Sequence, residues 1–599
     1  MFEKAKRIVD ITPALRAPMP IYKILADGLT VTEDRATAWF RIEPSSTQMA
    51  TAKEMDAELA QAIALAQKAL RDRTCHIKIV WGRITGDEYA TSATAFTAPE
   101  GRAWTAARTQ AIDAWQLPER HVFLGIDIED RHDPKFLRAI NRAVDWVRGD
   151  LTSIPRQELA WLDQTMRALG GQLNKAPWYA TPVDVETLAW MLGRECFRAS
   201  DAAPVEGTVS GAHLARLMRG RMVPYRDHQR FYDAGGQASA YSAQLIISQF
   251  SADALDTNDT GQWLTLLSGI SRPSLDGSRT VDVHAEASIR FEFMSQKAAR
   301  KVVKRTKDSA AEQRREAAKS DAGEPSADVQ YSEAEMALLE GDINRGRVRL
   351  VRFWPTLSVS EDNLDDLRAS VDAVIEAYSQ VGITVEVAAD EQAEVWMSTL
   401  PGDHVRVEAM HHISDAEAFF GSWFWAGSVV GDDDGPAIGF TTGTTAQIVR
   451  CHPTQAPLKG DTSTIAVLGR SGRGKTTLLQ LLALDAVAER SWVPVFDLKG
   501  DLNNSEGGLV GAAHSLGLEA RRVDMSATYA GTCDLLATMD ADDALIHAHS
   551  QLMLLVSDAL RLAAHPVLMR HIAALIGDGG DRSTAVLIER MRQDEDETA

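Results

Sequence analysis

The 599-residue chain is poor in cysteine, and its cysteines lie far apart. Its four cysteines are Cys75, Cys196, Cys451 and Cys533, and no two of them form a CxxC pair. A disulfide framework and a zinc ribbon both need several suitably spaced cysteines, so the sequence favours neither of them. The pattern is typical of a reducing cytoplasm.

Long apolar runs are also missing. No stretch approaches the roughly 18 uninterrupted apolar residues that a membrane span requires, and no apolar leader follows the charged N-terminal residues. We therefore expect a cytoplasmic protein without a transmembrane segment. A peripheral position at the inner face of the cell membrane is left open.

The sequence contains fewer basic than acidic residues, 63 Lys and Arg against 84 Asp and Glu, which gives a net charge of −21. This balance argues against a chain that coats nucleic acid by bulk electrostatics. The hydrophobic content of 45% excludes a fibrous or wholly disordered chain. A chain of this length is expected to form roughly three to five domains.

The order of predicted elements divides the chain into four regions. We expect an N-terminal α+β domain over 1–296, a basic helix and linker over 297–330, and a second α+β unit over 331–440. A P-loop ATPase domain with a helical insertion is predicted over 441–599. The fold class is therefore α+β followed by an α/β (RecA-like) domain that is incomplete.

Local signals support the first and third regions. Strands are predicted near 38–42, 76–80, 122–126 and 283–293, where apolar residues alternate or cluster. Thr51 and Glu54 have the spacing of a capping box that opens a helix. A strand over 347–360, a helix over 364–378, a C-cap glycine at Gly382 and a strand over 383–387 are predicted in the third.

The basic segment contains nine Lys and Arg residues against three acidic residues between Lys297 and Lys319. A solvated helix is the simplest interpretation. Contact with anionic lipid or nucleic acid is the alternative.

The segment Gly469–Thr476, GRSGRGKT, matches the Walker A pattern GxxxxGK[ST]. An apolar run at 464–468 predicts the strand before it, and leucines at helical spacing predict the helix after it. Such a loop points backbone N–H groups at phosphates of ATP, while Lys475 reaches the β- and γ-phosphates and Thr476 binds Mg²⁺. The predicted cofactor-binding residues are Gly469, Arg470, Ser471, Gly472, Arg473, Gly474, Lys475, Thr476 and Thr477. The glycine spacing does not match the GxGxxG of dinucleotide-binding loops.

Two acidic residues are candidate partners of this loop. Asp497 lies 22 residues after Lys475, at the end of the apolar run 493–496, and Asp501 follows it. Because strand ends in α/β sheets meet at the ligand crevice, we expect both to position Mg²⁺ or water. With Lys475 they form the predicted catalytic set. A plain strand-to-loop transition is the alternative.

A Walker B strand, an apolar run ending in acid, is not evident. The run 552–558 ends in Asp558 followed by Ala559, and its leucines continue a helical pattern; the run 586–589 is weaker. We expect a helix at 552–558. The motor domain is then expected to be cut short, to be completed by another chain, or to bind nucleotide without hydrolysing it alone.

Other clusters are predicted to be structural. We expect no metal at His411-His412, at Asp432–Asp434 or at His547 and His549, because the ligand spacing is unsuitable. The aromatic residues at 423–425 are expected to pack in a core.

Together, Gly469–Thr476, the D-L-K-G-D segment at 497–501 and the Leu400-Pro401-Gly402 ending of the upstream region resemble the TraC/TrsE-type ATPases of conjugative type IV secretion systems. These belong to the HerA–FtsK group of P-loop motors. The segment VFLGIDIEDR at 122–131 and the basic helix are similar in order to that family. Cys533-Asp534-Leu535 departs from it, because the family usually has Gly-x-Asn/Asp-Pro there.

The resemblance implies a cytoplasmic, often hexameric ATPase that docks at a membrane-embedded channel and powers substrate transfer or pilus assembly. Implied partners are the channel proteins and a coupling protein; direct contact with nucleic acid is left open. A DNA-pumping coupling protein is one alternative, against which the lack of N-terminal membrane helices counts. A non-hydrolysing, nucleotide-gated scaffold is the other.

Overall fold

A computed structural model of the chain describes residues 21–594, apart from several gaps. The gaps are 26–27, 33–34, 48–49, 94–97, 129–155, 197–208, 211–220, 234–235, 252–261, 320–339, 344, 347, 433, 443–445, 453–454, 459, 461, 463, 498–499, 501, 503–507 and 524–530. The chain forms two compact units, Met1–Ala98 with Trp104–Leu468 and Pro99–Ala103 with Gly469–Ala599. Among the described residues no helix is both long and apolar enough to cross a membrane.

The first unit is mixed α/β and contains a large antiparallel sheet. The strands are β1 (Ile21–Leu25), β2 (Leu29–Thr32), β3 (Ala36–Ile42), β4 (Ser45–Ser46), β5 (Thr74–Arg83), β6 (Pro118–Ile128), β7 (Thr181–Pro182), β8 (Val209–Ser210), β9 (Arg221–Pro224), β10 (Gln229–Tyr232), β11 (Ala238–Phe250), β12 (Ser271–Pro273), β13 (Thr280–Asp282), β14 (Glu286–Phe293), β15 (Leu350–Glu361), β16 (Ile383–Val387), β17 (His412–Asp415), β18 (Ala426–Gly427), β19 (Ala437–Phe440) and β20 (Ile448–Arg450).

The main path of the large sheet runs β8-β1-β2-β3-β6-β5-β14-β15-β11-β10-β9, with β7 on β3, β16 on β11 and β17 on β15. The pairing of β14 with β15, Phe291 opposite Phe353, joins the 331–440 segment to the same sheet as the N-terminal region. The remaining strands form small two-stranded pairs.

Helices cover both faces of this sheet. Those that precede residue 469 are α1 (Ala52–Ala69), α2 (Gly86–Ala93), α3 (Arg102–Trp115), α4 (Arg156–Leu173), α5 (Val185–Cys196), α6 (Gln296–Lys319), α7 (Leu364–Gln380), α8 (Gln392–Thr399), α9 (Ala416–Phe420) and α10 (Gln455–Leu458). Helices α1, α4, α7 and α9 pack in one core with Ile77, Ile289 and Phe291 of the central strands. Helix α5 packs against the other face, on Trp39 and Phe123.

Alternation along β5 explains why the two faces differ. Ile77 and Ile79 enter the apolar core, whereas Lys78 points to the opposite face and forms a buried ion pair with Glu195 of α5. The Lys78 ammonium also donates to the Thr399 carbonyl at 3.1 Å. On the same face Arg290 donates to the Leu400 carbonyl at 2.7 Å, and burial lowers its pKa to about 10.

Several local predictions are confirmed. The capping box is present, since the Thr51 N–H donates to Glu54 Oε2 at 2.8 Å and the Glu54 N–H donates to Thr51 Oγ1. Gly382 has φ +76° at the end of α7, and β16 begins at the next residue. The aromatic residues at 423–425 are buried, as expected. The basic segment is helical over the full length of α6.

The described part of the second unit contains helices and irregular segments. Its helices are α11 (Lys475–Ala488), α12 (Leu509–Ser515), α13 (Leu535–Thr538), α14 (Ala541–Met553), α15 (Arg561–Gly577) and α16 (Thr584–Arg592). A small core of Leu536, Leu568, Ile572, Leu575 and Leu587 holds the last four together. The helix predicted for the run at 552–558 is confirmed in part, because α14 ends at Met553 and residues 554–560 form turns before α15. Residues 586–589 lie within α16.

The two strands predicted beside the P-loop were wrong. Residues 464–468 and 493–497 are irregular, and neither segment pairs with a strand in the described residues. Leu468 is 90% exposed and Phe496 is 89% exposed. A strand is held by its ladder and by packing of one face, so an apolar β-branched run without a paired neighbour does not become one. The RecA-like sheet therefore stays a prediction.

Candidate nucleotide-binding site

Two glycines shape the loop that precedes helix α11. Gly472 has φ +74° and Gly474 has φ +81°, a left-handed conformation in which a residue with a Cβ is strained. Gly474 is the N-cap of α11, and its carbonyl accepts from the Leu478 N–H at 2.9 Å. The loop therefore turns sharply into the helix, as the Walker A pattern predicts.

The start of α11 is suited to an anion. Gly474 makes no side-chain cap, and the first N–H groups of an α-helix have no acceptor one turn earlier in the helix. These N–H groups belong to Lys475, Thr476 and Thr477, and they add to the positive end of the helix dipole. A phosphate is the ligand that such a helix start binds best.

Lys475 bridges this loop. Its ammonium donates to the Arg470 carbonyl at 2.9 Å. A Cβ on Gly469 would lie 3.6 Å from Lys475 Cγ, which is an ordinary van der Waals contact. The structure thus brings Gly469, Arg470 and Lys475 together.

The remaining predicted loop residues lie at the surface. The exposed ones are Arg470, Ser471, Gly472, Arg473, Gly474, Thr476 and Thr477. Helix α11 is anchored by Leu484 and Ala488, which are buried, whereas Leu479 on its first turns is 48% exposed. The loop and the helix start are therefore open to a ligand from solvent.

The Asp497 carboxylate is hydrogen-bonded to backbone N–H groups that follow it in the chain. Its Oδ1 accepts from the Gly500 N–H at 2.9 Å and its Oδ2 accepts from the Leu502 N–H at 2.8 Å. Gly500, with φ +70°, completes the turn. The carboxylate thus stabilises its own turn through backbone hydrogen bonds. The other candidate, Asp501, lies outside the described residues.

Asp534 has a structural role that the sequence analysis did not find. It caps α13 through the Leu536 N–H at 3.1 Å, and its carboxylate also accepts from Thr584 Oγ1 at 2.7 Å, at the start of α16. The N-cap position could have been read from Asp followed by an apolar run. The contact with Thr584, 50 residues away, had no local signal.

The histidine and aspartate clusters make hydrogen bonds within the chain. His412 contacts the Ile247 carbonyl at 2.8 Å, and Asp432 accepts from the His452 N–H at 2.8 Å. His549 contacts His565, not His547, at 2.9 Å between ring nitrogens. In the part of the chain that the structure describes, no group of three or more metal-ligating side chains is present.

Comparison with models of known protein families gives no match, and comparison with curated proteins gives none either. The resemblance to the conjugative ATPases therefore stays a prediction carried by the motifs at 469–476 and 497–501.

Proposed function

We propose that this chain is an ATP-binding and ATP-hydrolysing motor subunit of a conjugative DNA-transfer apparatus. The observation that supports this most is the loop Gly469–Thr476, in which two left-handed glycines lead into a 14-residue helix with Lys475 at its first position. The hexameric assembly, the membrane channel and the coupling protein come with the family resemblance. They rest on that resemblance and not on a contact within the chain.

The donor set of the loop fits a triphosphate. Backbone N–H groups from Gly469 to Gly474 and at the start of α11 supply donors in one concave turn. Without a ligand the Lys475 ammonium donates to a neutral acceptor, the Arg470 carbonyl. When a triphosphate is bound, it donates to phosphate oxygens instead, and these hydrogen bonds are stronger because both partners are charged. Thr476 offers a hydroxyl oxygen, a ligand type that Mg²⁺ accepts. When bound, Mg²⁺ neutralises charge on the phosphates.

A second candidate function is a scaffold that binds nucleotide without hydrolysing it alone. Two observations favour it. Both oxygens of Asp497 accept backbone N–H groups of their own turn, and the acid-ended runs at 552–558 and 586–589 lie in helices and turns instead of a strand. Activation of the attacking water would then need a carboxylate other than Asp497 and the acids that end these two runs.

The experiment that tests both functions is ATP binding and turnover by the full chain and by Lys475→Ala. A suitable control is Arg592→Ala, which removes one exposed cation of the same unit; the Arg592 side chain is 74% exposed. Because hydrogen bonds to charged groups contribute about 1.5–3 kcal/mol, the Lys475 variant is expected to bind ATP at least about tenfold more weakly. The control is expected to bind like the wild type.

The outcomes separate the candidates. Turnover that is lost in Lys475→Ala and kept in the control supports the motor. Binding that weakens in Lys475→Ala, with no turnover in any variant, supports the scaffold. Absence of ATP binding by the wild type contradicts both.

A further inference from the structure

Helix α6 has two faces of opposite character. Ala299 and Val303 are buried, and with Ala298 and Val302 they pack against Met294, Ile343, Leu350 and Ile413. The Gln296 amide also donates to the Ile343 carbonyl at 3.1 Å. One face of the helix is therefore attached to the first unit and cannot turn outward.

The opposite face carries five exposed cations, Lys297, Arg300, Lys301, Lys304 and Arg305, which we call the basic arc. At about 100° per residue these positions fall within an arc of about 140°, and they span about 12 Å along the helix axis. Because the apolar face is fixed in the protein, the basic arc is held facing solvent.

None of the five cations makes an ion pair with a carboxylate of the described residues. The next cation along the helix, Lys307, does pair, with Glu340 at 2.6 Å. The whole chain has a net charge of −21, so acidic side chains are abundant. A group of uncompensated cations in an acidic protein is a local electrostatic site for a polyanion.

The chemistry of the exposed face indicates which polyanion fits. The exposed side chains of α6 in the described part are all polar or charged. Helices that lie in a lipid surface insert apolar side chains, and proteins that hold single strands stack bases on aromatic rings. The basic arc has neither feature. A face that carries cations without apolar or aromatic side chains suits the phosphates of a double helix.

We propose that the basic arc docks on the phosphate backbone of double-stranded nucleic acid, without reading its sequence. Asp308 and Glu312, exposed one and two turns after the arc, confine the contact to the first half of α6 because they repel phosphate. The contact requires no nucleotide. It is therefore independent of the function proposed for the loop at 469–476.

The test is fluorescence anisotropy of the full chain with a short labelled duplex DNA of random sequence, without ATP, over a range of salt concentrations. Five phosphate contacts predict a slope of log K against log salt of about −4.5. The variant K297Q/K301Q/K304Q is expected to change that slope to about −2 and to weaken binding at least tenfold at low salt. These substitutions leave Ala299 and Val303 in place.

A matched control is K53Q/R167Q/K175Q, which removes the same charge at exposed positions of the first unit. It is expected to keep the wild-type slope to within about one contact. If the triple variant of the arc does not fold, judged by circular dichroism, K301Q and K304Q are tested singly. Each is then expected to bring the slope about 0.9 closer to zero.

Three results would overturn the proposal. The first is equal duplex binding by the arc variant and the control. The second is a loss that appears only with phosphatidylserine vesicles and not with the duplex, which would make the arc a lipid contact. The third is tighter binding of a single strand of the same length, with the same loss in the arc variant.

Discussion

The two units use their largest apolar side chains in opposite ways. In the first unit Trp39, Trp178, Trp263, Trp396 and Trp425 are almost fully buried. In the second unit Trp492 is 88% exposed, Phe496 is 89% exposed and Leu562 is 94% exposed. Burial of these large side chains therefore stabilises the first unit, whereas the three exposed side chains of the second unit contribute little to its stability.

The difference shows what turns an apolar run into a strand. Strand β14 lies between β5 and β15, so both of its edges are hydrogen-bonded, and its apolar side chains are buried in the main core. The run at 493–497 contains the strand-favouring Val493, Val495 and Phe496 but also Pro494, which cannot donate to a ladder, and in the described residues no strand lies beside it. Propensity alone does not compensate for the missing ladder. The predictions below test this contrast.

The largest effect is expected from a tryptophan exchange in each unit. Trp263 is 1% exposed and meets Phe250 edge-to-face at 5.5 Å. Trp263→Ala should lower the free energy of unfolding by about 3–5 kcal/mol, because it leaves a cavity. Trp492→Ala should change it by less than about 0.5 kcal/mol. Urea unfolding followed by circular dichroism measures both, and a comparable loss in the two variants would break the contrast.

The buried ion pair gives the next largest effect. Lys78→Met leaves the carboxylate of Glu195 buried without its cation, and we expect a loss of about 3 kcal/mol. Lys78→Met combined with Glu195→Leu should recover most of it, since an apolar pair of similar volume carries no desolvation penalty. The urea midpoints of the single and double variants are compared. A double variant no more stable than the single one would contradict this account.

Acid should destabilise the first unit through His121. Burial, with Arg41 and Arg194 nearby, lowers the pKa of His121 to about 3. In the unfolded chain this side chain takes up a proton near pH 6.5, whereas in the folded state it stays neutral until about pH 3. Stability is therefore complete above pH 6.5 and is lost as pH falls, by about 1.4 kcal/mol per pH unit.

The measurement is the unfolding free energy at pH 6.5 and pH 4.5 for the wild type and for His121→Gln. The wild type should lose about 2.3 kcal/mol more than the variant over this range, because at pH 6.5 the unfolded chain is already half protonated at this position. His76, whose pKa burial also lowers, is present in both proteins and cancels. Equal losses would show that His121 is not responsible.

The smallest effect is expected in the second unit, where Asp534 joins the start of α13 to the start of α16. Asp534→Ala should destabilise that unit by about 1–2 kcal/mol, as loss of an N-cap does. Asp540 is the N-cap of α14 without a side-chain cap bond, so Asp540→Ala should cost less than about 0.5 kcal/mol. The melting temperatures of the two variants measure this difference. Equal shifts in melting temperature would argue against the capping role of Asp534.

Prediction from sequence succeeded where neighbours in the chain carry the signal. Thr51 and Glu54 lie about one helical turn apart. Gly382 lies two residues after Gln380, the last residue of α7. It failed at 464–468 and 493–497, because a strand depends on a partner that the run itself does not contain. The loop at 469–476 lies between these cases, since its glycine geometry was predictable, whereas the hydrogen bonds of Asp497 nearby in the chain were not.

By itself, the sequence determined the capping box at Thr51 and Glu54, the alternation of the central strands and the Walker A pattern at 469–476. Each of these depends on residues a few positions apart, whose backbone angles and spacing follow from local chemistry. Only the tertiary structure decided that Lys78 is buried against Glu195, that Asp534 holds Thr584 and that Phe496 remains exposed. Burial and desolvation depend on what packs from distant parts of the chain, and no local pattern encodes that.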